Sequence, residues 1–382
     1  MNAVERLTML TSQMHLEPAE EHRAGSINLP RETENALTVS RAVTPNGGSI
    51  RLLKTLLSSY CENDCRYCPF RAQRDQARTA FQPDEFARLF LQLYQAGFVE
   101  GIFLSSGVFP GPTATQDHLL DTAANLRRKH RFPGYLHLKI MPGATRAQVE
   151  EAMLLADRLS VNLEAPHQRA LAELAPGKHL YQDLLAPLQW MEDIRQKQSP
   201  DRAWKKTWPS STTQFVVGAA GETDLDLLSM TANLSSLSGI SRAYFSSFNP
   251  IPGTPLENTP ASDPRREFRL YQASFLLRDY HFTLEDIPFL SSGLLPLTVD
   301  PKTAWADAHL KQRPLEINTA APKELLKIPG IGPIRQRAIL VGRRRQRITS
   351  IDHLKALGAY SNRSLPYILL NGRLPVRQLA LF

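Results

Sequence analysis

The sequence predicts an α/β protein, with a partial (β/α)6 barrel of the TIM-like kind followed by a small all-α domain. Between about residues 50 and 250, apolar strand-like runs alternate with amphipathic helix-like runs. Polar or glycine-containing segments follow several of these strand-like runs, and a basic, helix-like segment ends the chain. Alternating strands and helices imply a parallel sheet, and chemistry in such barrels lies at the carboxyl ends of the strands.

Six strand–helix units are predicted in order along the chain. The strand-like runs are 51–58, 101–105, 135–140, 158–163, 212–217 and 242–247. The helix-like runs begin after Pro83, cover 117–129, open near Thr145, cover 181–198 and open again near Thr223. The acidic pair after Pro83 suits a helix N-terminus, because negative charge is favourable at that end of the helix dipole.

Four segments follow from this pattern. Residues 1–48 form an N-terminal extension, 49–262 the barrel, 263–309 a helical extension and 310–382 a basic helical domain. A proline-rich loop at 249–260 comes after the sixth strand, and prolines at this density interrupt regular structure.

Composition favours a cytoplasmic globular protein. The chain has 382 residues, of which 42% are hydrophobic, enough for one large domain and a small one. No apolar run approaches the ~18 residues that span a bilayer. The first residues include acids and lack a sustained apolar core, so they do not resemble a secretory signal.

Positive charge is concentrated at the C-terminus. The chain has a formal net charge of +8. Residues 310–382 contain fourteen Lys or Arg and three Asp or Glu, so this segment holds +11 and the rest of the chain −3. A basic segment beside a near-neutral body indicates a polyanionic partner or a solvated tail, and charge alone does not separate the two.

The three cysteines of the chain are clustered. Cys61, Cys65 and Cys68 have the spacing C-x3-C-x2-C, an odd set that suits a metal site in a reducing compartment better than disulfides. Three close thiolates can hold one face of a [4Fe–4S] cluster. No fourth cysteine exists, so one iron is left open for the amino and carboxylate groups of a small molecule. The alternative is a structural zinc site, which usually takes four protein ligands.

This triplet, with Tyr67 before its last member and a predicted strand before its first, resembles the signature of the radical SAM superfamily. The resemblance implies one [4Fe–4S] cluster, S-adenosylmethionine (SAM) on the open iron and an external electron donor. It also implies that SAM is cleaved to a 5′-deoxyadenosyl radical, which removes a hydrogen atom from a substrate. Tyr67 is then expected at the cofactor. In such enzymes the cofactor carries the chemistry, while the protein orients it and excludes water.

Two strand ends match cofactor-binding positions of that superfamily. The second strand of the family usually ends in Gly-Gly-Glu, and Ser105-Ser106-Gly107 stands in that place, which retains a backbone contact to the SAM amine without the glutamate. After the fourth strand, alternation predicts that Asn162 and Glu164 share one face, where they would contact SAM. The alternatives are an ordinary turn for the first segment and a salt bridge at the rim for the second.

Two further strand ends carry weaker matches. Lys139 ends the third strand and would meet the SAM carboxylate or a substrate phosphate. Gly218 and Gly221 belong to a segment that looks like the family's G-x-x-G-E-T turn beside the adenine, and Thr223 can cap the helix that follows. The loop 249–255 matches a proline-rich segment after the sixth strand of the family.

The number of cysteines excludes several reactions known in the superfamily. Sulfur insertion with a second cluster, methyl transfer through two cysteines and hydrogen donation by a cysteine all need thiols that the chain lacks. Hydrogen abstraction followed by rearrangement, cleavage, oxidation or addition remains.

The tail contains a pattern that resembles a helix-hairpin-helix, a unit that commonly binds DNA without sequence specificity; the alternative is a small structural or protein-binding domain. A helix is predicted over 322–327, a turn over 329–332 and a second helix from Pro333, with Ile328, Ile331, Ile334 and Ala338 packing between them. Backbone amides of such a turn can face a phosphate at a helix N-terminus, and arginines add charge. The predicted nucleic-acid contacts are Gly330, Ile331, Gly332, Arg335, Arg337, Arg343, Arg344 and Arg345.

Taken together, the chain is similar to a bacterial family of radical SAM proteins named for a proposed role in DNA modification and repair. The similarity covers about residues 50–370 and includes LLKTLLSSYCENDCRYC, EGIFLSSGV and INTAAPKELLKIPGIG. It implies DNA as the substrate and a uracil-DNA-glycosylase-like partner protein, because members are often encoded beside one. Two alternatives stay open: an iron–sulfur DNA-binding redox sensor without turnover, and an RNA-modifying radical SAM enzyme.

Overall fold

The computed structural model describes residues 1–12, 14, 39–43 and 49–375. Most of the predicted extension 1–48, and residues 376–382 of the predicted tail, therefore lie outside the described residues. The chain divides into two compact units. The first contains the described residues of Met1–Glu222 together with Met230–Asp263, and the second contains Thr223–Ser229 and the described residues from Pro264 onward. The segments predicted as 263–309 and 310–382 thus lie almost entirely in one unit.

The first unit is built on one seven-stranded sheet whose strands follow chain order. The strands are β1 (Val39–Val43), β2 (Ser49–Leu56), β3 (Gly101–Ser105), β4 (Tyr135–Lys139), β5 (Arg158–Glu164), β6 (Ser210–Val217) and β7 (Ile240–Ser247). β1 pairs antiparallel with β2, and every later neighbouring pair is parallel. The six predicted strands are confirmed as β2–β7, whereas β1 was not predicted. The sheet is the curled partial barrel expected from the alternating pattern.

Helices cover the outer side of this sheet in the order typical of strand–helix units. They are α1 (Ala3–Thr11), α2 (Pro83–Gln95), α3 (Pro112–Ala124), α4 (Arg146–Leu155), α5 (Gln168–Leu174), α6 (Ala186–Lys197) and α7 (Asp224–Leu237). Single π-helical turns extend α3 over Asn125–Lys129 and precede α6 over Leu180–Leu185. Among the described residues, no helix is both long and apolar enough to cross a membrane.

Local sequence signals explain several of these elements. Thr145 caps α4 through a reciprocal capping box with Gln148. Pro83 begins α2, where its missing N–H is not needed. All five residues of β3 are buried, as expected for a parallel strand covered on both faces. Helix α5 is short and was not predicted.

The second unit is mostly helical. Its elements after α7 are α8 (Pro264–Asp279), α9 (Pro301–His309), β8 (Leu315–Glu316), α10 (Pro322–Lys327), α11 (Pro333–Arg345), α12 (Ile351–Ala356) and β9 (Ile368–Leu369). β8 and β9 form a two-stranded parallel sheet, so the prediction of an all-α tail is wrong in this detail. The helix predicted over 322–327 and the second helix predicted to begin at Pro333 are both present, and the second ends at Arg345.

The turn between α10 and α11 packs tightly. Ile328 and Ile331 are buried as predicted, but Ile334 is 86% exposed, so its predicted place between the helices is wrong. Ile334 lies in the first turn of α11 on the side that faces solvent. Gly330 has a φ of +81°, and a Cβ there would lie 2.1 Å from the Ser361 hydroxyl oxygen. A glycine is therefore required at this position both by conformation and by space.

Candidate active site

A cavity opens at the carboxyl ends of the parallel strands in the first unit. Its volume is about 1180 Å³, including the solvent-filled opening. This is enough space for a ligand of cofactor size. The residues predicted from the sequence that line it are Cys61, Cys65, Tyr67, Cys68, Ser105, Ser106, Gly107, Lys139, Asn162 and Glu164. Gly218 and Gly221 do not line it. The structure thus brings the cysteines and three of the four predicted strand ends to one place.

Cys61 is held against the segment that follows β3. Gly107 N–H donates to Ser58 O at 2.7 Å, and Glu62 N–H donates to Val108 O at 2.9 Å, so the two segments continue the pairing of β2 and β3. Val108 N–H points at the Cys61 Sγ, 3.5 Å away. This contact fixes the first cysteine against the backbone that follows β3.

Gly107 is needed for this pairing. A Cβ at position 107 would lie 2.2 Å from Tyr60 O and 3.1 Å from Cys61 Cβ. The contact at 2.2 Å involves backbone, which cannot rotate away as a side chain can. The glycine in Ser105-Ser106-Gly107 therefore has a packing reason: it lets the strand end approach the first cysteine.

The later cysteines are held by the region around α5. Arg66 N–H donates to Leu174 O at 2.7 Å, and Gly177 N–H donates to a carboxylate oxygen of Asp64 at 3.3 Å. Cys68 N–H donates to Cys65 O at 3.3 Å, which closes a turn between these two cysteines. An element that the sequence did not predict therefore fixes the second half of the cysteine loop.

The cysteines do not form a site for a single ion. Within the described parts of the chain, no three Cys, His, Asp or Glu side chains are close enough to hold one metal ion. A structural zinc ion with Zn–S bonds of about 2.3 Å would bring its sulfurs within about 4 Å of each other. The three cysteines line one common cavity.

Burial acts on the cysteine side chains. Burial raises the pKa of the Cys65 thiol, and the Lys178 ammonium opposes this shift. Burial and the nearby Cys65 raise the pKa of Cys68. Thiolates are the ligand form, so binding a metal here must release protons.

A buried ion pair forms another wall of the cavity. Lys178 Nζ lies 3.3 Å from Glu164 Oε1, and the two side chains are only 10% and 5% exposed. Glu164 follows a bulge in β5 and has a φ of +65°, a backbone conformation that is costly for a residue with a side chain. Such strain persists where the surrounding structure fixes it, and it aims this carboxylate into the cavity beside Asn162.

One acceptor in the cavity wall is unsatisfied. Gln214 Oε1 is buried and has no hydrogen-bond partner among the described residues, whereas the Glu164 carboxylate has the Tyr67 hydroxyl as a hydrogen-bond partner. Buried polar atoms are nearly always paired, so Gln214 Oε1 requires a donor from a bound molecule or solvent. A ligand with an amine or hydroxyl donor would satisfy it.

Lys139 is the buried cation at the end of β4. It is 7% exposed and lines the cavity. Burial lowers the pKa of Lys139 to about 7, with Glu164 partly opposing and Lys178 reinforcing the shift. An anionic group in the cavity would favour the charged form of this side chain.

Tyr67 lies next to Glu164. Burial raises the pKa of Tyr67 well above its usual value, and the Glu164 carboxylate raises it further. The hydroxyl is therefore neutral and able to donate. Its position in the cavity wall matches the place predicted from the sequence, while its role stays a prediction.

The turn after β6 lies outside the cavity lining and is held by hydrogen bonds to Glu222. Glu222 is buried, and its carboxylate accepts from Gly218 N–H and, at 3.1 Å, from Ala220 N–H. Thr223 Oγ1 accepts from Asp226 N–H at 3.1 Å, so Thr223 caps α7 as predicted. Glu222 thus shapes the turn that contains Gly218 and Gly221.

Several cavity residues were missed by sequence reasoning. They are Lys178, Gln214, Met141, Ser246, Ser247 and Asn249. Gln214 alternates with buried neighbours on a predicted strand, which was a usable signal for an inward-facing polar group. Lys178 stands in an ordinary Pro-Gly-Lys turn, and nothing local marks it as buried.

The predicted nucleic-acid residues lie on the second unit. Arg335, Arg337, Arg344 and Arg345 are exposed. Arg343 differs: it is half-buried, and its Nη1 donates to Ile317 O at 3.0 Å and Ala320 O at 2.8 Å. Its guanidinium therefore supports the fold of this unit, and the predicted phosphate contact is carried better by its two exposed neighbours.

Comparison with known proteins gives one family match. Residues 55–230 match the model of the radical SAM superfamily. No curated protein matches the chain.

Among solved structures, similar folds occur in three enzymes of low identity. Methylornithine synthase PylB is 14% identical, with a TM-score of 0.47 over 59% of this chain and 61% of its own. The FeFe-hydrogenase maturase HydG from Carboxydothermus hydrogenoformans is 16% identical, with a TM-score of 0.45 over 59% and 51%. The methyltransferase TsrM from Kitasatospora setae is 13% identical, with a TM-score of 0.41 over 62% and 42%. The chain spans less than two thirds of the length of each.

Proposed function

We propose, from the premise that residues 55–230 form a radical SAM domain, that Cys61, Cys65 and Cys68 hold a [4Fe–4S] cluster. The same premise makes the protein an enzyme that uses this cluster and SAM. We propose further that the enzyme modifies or repairs nucleic acid, with DNA as the first candidate. The observation that carries the first part is the convergence of all three cysteines and the ends of β3, β4 and β5 on one cavity.

The residues present fit the cluster. The chain supplies three thiols and no fourth, and the three face open cavity space rather than packed side chains. When bound, the cluster and SAM supply one-electron cleavage of a carbon–sulfur bond and a radical that can remove a hydrogen atom. The Lys178 ammonium favours the thiolate form of Cys65 by electrostatic attraction.

The rest of the cavity lining fits SAM. The backbone of 105–107 lies beside Cys61, where it can accept from an amine. Gln214 Oε1 and the Glu164 carboxylate offer further acceptors, and Lys139 offers a cation for a carboxylate. These groups bind and orient a zwitterionic ligand with hydroxyl and amine donors, which is the chemistry of SAM.

The nucleic-acid part rests on the second unit. The segment 310–382 holds +11 of charge, and four of its predicted contact arginines are exposed. Arg335 and Arg337 lie near the N-terminus of α11, and Arg344 and Arg345 lie in its last turn. Exposed arginines suit backbone phosphates, which give affinity without sequence preference. The similarity to the DNA modification and repair proteins supports DNA over RNA and a uracil-DNA-glycosylase-like partner.

SAM cleavage tests the first part. Oxygen-free protein reconstituted with iron and sulfide should form 5′-deoxyadenosine from SAM when a reductant is present. Cys65→Ala should abolish both the cluster absorbance and this product, because two thiolates cannot hold the cluster. A wild-type protein that carries a full cluster and yields no 5′-deoxyadenosine would overturn the proposal.

Substrate choice requires a separate experiment. Binding of duplex DNA, single-stranded DNA and tRNA should be compared across salt concentrations, since phosphate contacts give a steep salt dependence. Tighter binding of tRNA would favour the RNA-modifying alternative. DNA affinity that changes with cluster oxidation, without SAM turnover, would favour the redox sensor.

A further inference from the structure

The loop that carries the three cysteines is closed at its base by backbone pairing. Ser58 and Ala80 form an isolated antiparallel bridge. Ser59 N–H donates to Thr79 O at 2.9 Å, and Thr79 N–H donates to Ser59 Oγ at 2.9 Å. Residues 59–79 therefore leave and re-enter the barrel at one point. No helix or strand lies within this loop, so its carbonyl groups need other partners.

One side chain contacts four of those carbonyls. Arg78 Nη1 donates to Ser59 O at 2.6 Å and to Phe70 O at 2.9 Å. Arg78 Nη2 donates to Arg71 O at 2.7 Å and approaches Arg74 O at 3.4 Å. The guanidinium thus joins a carbonyl that precedes the first cysteine to carbonyls that follow the last one.

Arg78 does not line the cavity, so it acts on the cysteines through the backbone alone. Only arginine combines a permanent charge with five donors in a planar fork, which matches carbonyls that converge from several directions. Loss of this side chain would leave partly buried carbonyls without donors, and the loop would have to open to hydrate them.

We propose that Arg78 is a positioning residue that forms the cysteine loop before any cluster is present. The thiols are then held at the cavity in the metal-free protein, and cluster binding does not have to order the loop. The inference rests on the proposed role of the three cysteines, but its test uses protein without iron and so does not depend on turnover.

The test is amide hydrogen exchange of the metal-free protein, with and without Arg78→Gln. Amides of 59–80 should exchange at least tenfold faster in the variant, while amides of β3–β6 keep their protection. After identical reconstitution, the variant should also hold less iron per chain. Arg66→Gln is the matched control, because Arg66 lies in the same loop and its guanidinium makes only an exposed ion pair with Glu173; it should exchange like the wild type.

A second variant keeps the test decisive if Arg78→Gln does not fold. If Arg78→Gln also loses protection in the strands, Arg78→Lys decides, because it keeps the charge but lacks the planar fork. Faster exchange of 59–80 with intact strands in the lysine variant supports the inference. Wild-type exchange of this loop in the folded variants overturns it, whereas an absence of cluster in the wild type would count against the proposed function alone.

Discussion

The cavity of the first unit and the basic surface of the second hold charged residues in opposite ways. In the cavity, Lys178 and Glu164 are almost fully buried and paired with each other. On the second unit, Arg344 and Arg345 are exposed. A buried charge is costly unless it has a partner, so its position reports what the site must bind. An exposed charge costs little and reports only the sign of a partner.

This difference explains why the two functional conclusions differ in sharpness. The fit of the cavity to a cofactor rests on distances, buried acceptors and a strained carboxylate, whereas the proposed polyanionic partner of the basic surface rests on charge and exposure alone. The difference also predicts how substitutions will behave: those in the cavity should cost folding stability, and those on the surface should cost only binding.

The largest expected effect comes from Lys178→Met. This substitution leaves Glu164 as a buried charge without its cation, which destabilises proteins by about 3–5 kcal/mol. The free energy of unfolding, measured by urea denaturation of the metal-free protein, should fall by that amount. Adding Glu164→Gln should recover part of the loss, because the double variant has no unpaired charge.

The control for Lys178→Met is Lys129→Met. Lys129 pairs with Asp84 at 2.7 Å, but its side chain is 56% exposed, so its loss should cost at most about 1 kcal/mol. Equal effects of the two substitutions would break the contrast between buried and exposed charges.

A smaller effect is expected from Gly107→Ala. The added methyl would meet the Tyr60 carbonyl at 2.2 Å, and forced overpacking of this kind costs about 1–3 kcal/mol. Because Cys61 lies beside this contact, iron content after reconstitution should fall as well. Gly177→Ala is the control, since its Cβ would meet only the movable Asp64 carboxylate at 3.3 Å. Full iron content in Gly107→Ala would mean that the backbone approach to Cys61 is dispensable.

Much of the first unit could be predicted from the sequence, because strand periodicity and clustered cysteines are local signals. Every predicted strand limit lies within two residues of the observed one. The cavity residues Ser105, Lys139 and Glu164 were found because strand ends meet at one edge of a parallel sheet.

Residues whose role depends on distant partners could not be found in this way. Lys178 reaches Glu164 only because the turn after α5 folds back onto β5, and no periodic pattern encodes that contact. Arg78 donates to carbonyls as far as 19 residues away in the sequence. In the second unit, Ile334 was expected in the core from its type alone, but the first turn of α11 exposes it.

The surface is tested by Arg344→Gln combined with Arg345→Gln. If each arginine neutralises one phosphate, the slope of log K against log salt should decrease by about 1.8, and affinity for duplex DNA at 0.15 M salt should fall roughly thirtyfold. SAM cleavage without DNA and the free energy of unfolding should not change. Fluorescence anisotropy over a salt series measures the slope.

The matched control moves the same charge change to the first unit. Arg88 and Arg128 are also exposed arginines, and replacing both by glutamine alters the net charge equally. If that pair weakens DNA binding as much as Arg344 and Arg345 do, the effect is one of overall charge, and the second unit loses its special role.

The smallest effect is a pH dependence at Lys139. Its pKa of about 7 means that the ammonium form is present below pH 7 and is lost as pH rises through that value. If this ammonium binds the carboxylate of SAM, affinity for S-adenosylhomocysteine should fall about tenfold between pH 6 and 8, because about a tenth of the ammonium form remains at pH 8.

Two variants serve as controls. The affinity of Lys139→Arg for S-adenosylhomocysteine should not change over this pH range, since its charge does not titrate, and Lys139→Met should bind this ligand weakly at every pH. Calorimetry on the three proteins separates these cases, and a wild-type profile as flat as that of the arginine variant would place the carboxylate elsewhere in the cavity. A titration at a single buried lysine would also sharpen the contrast with the second unit, whose exposed arginines keep their charge throughout this range.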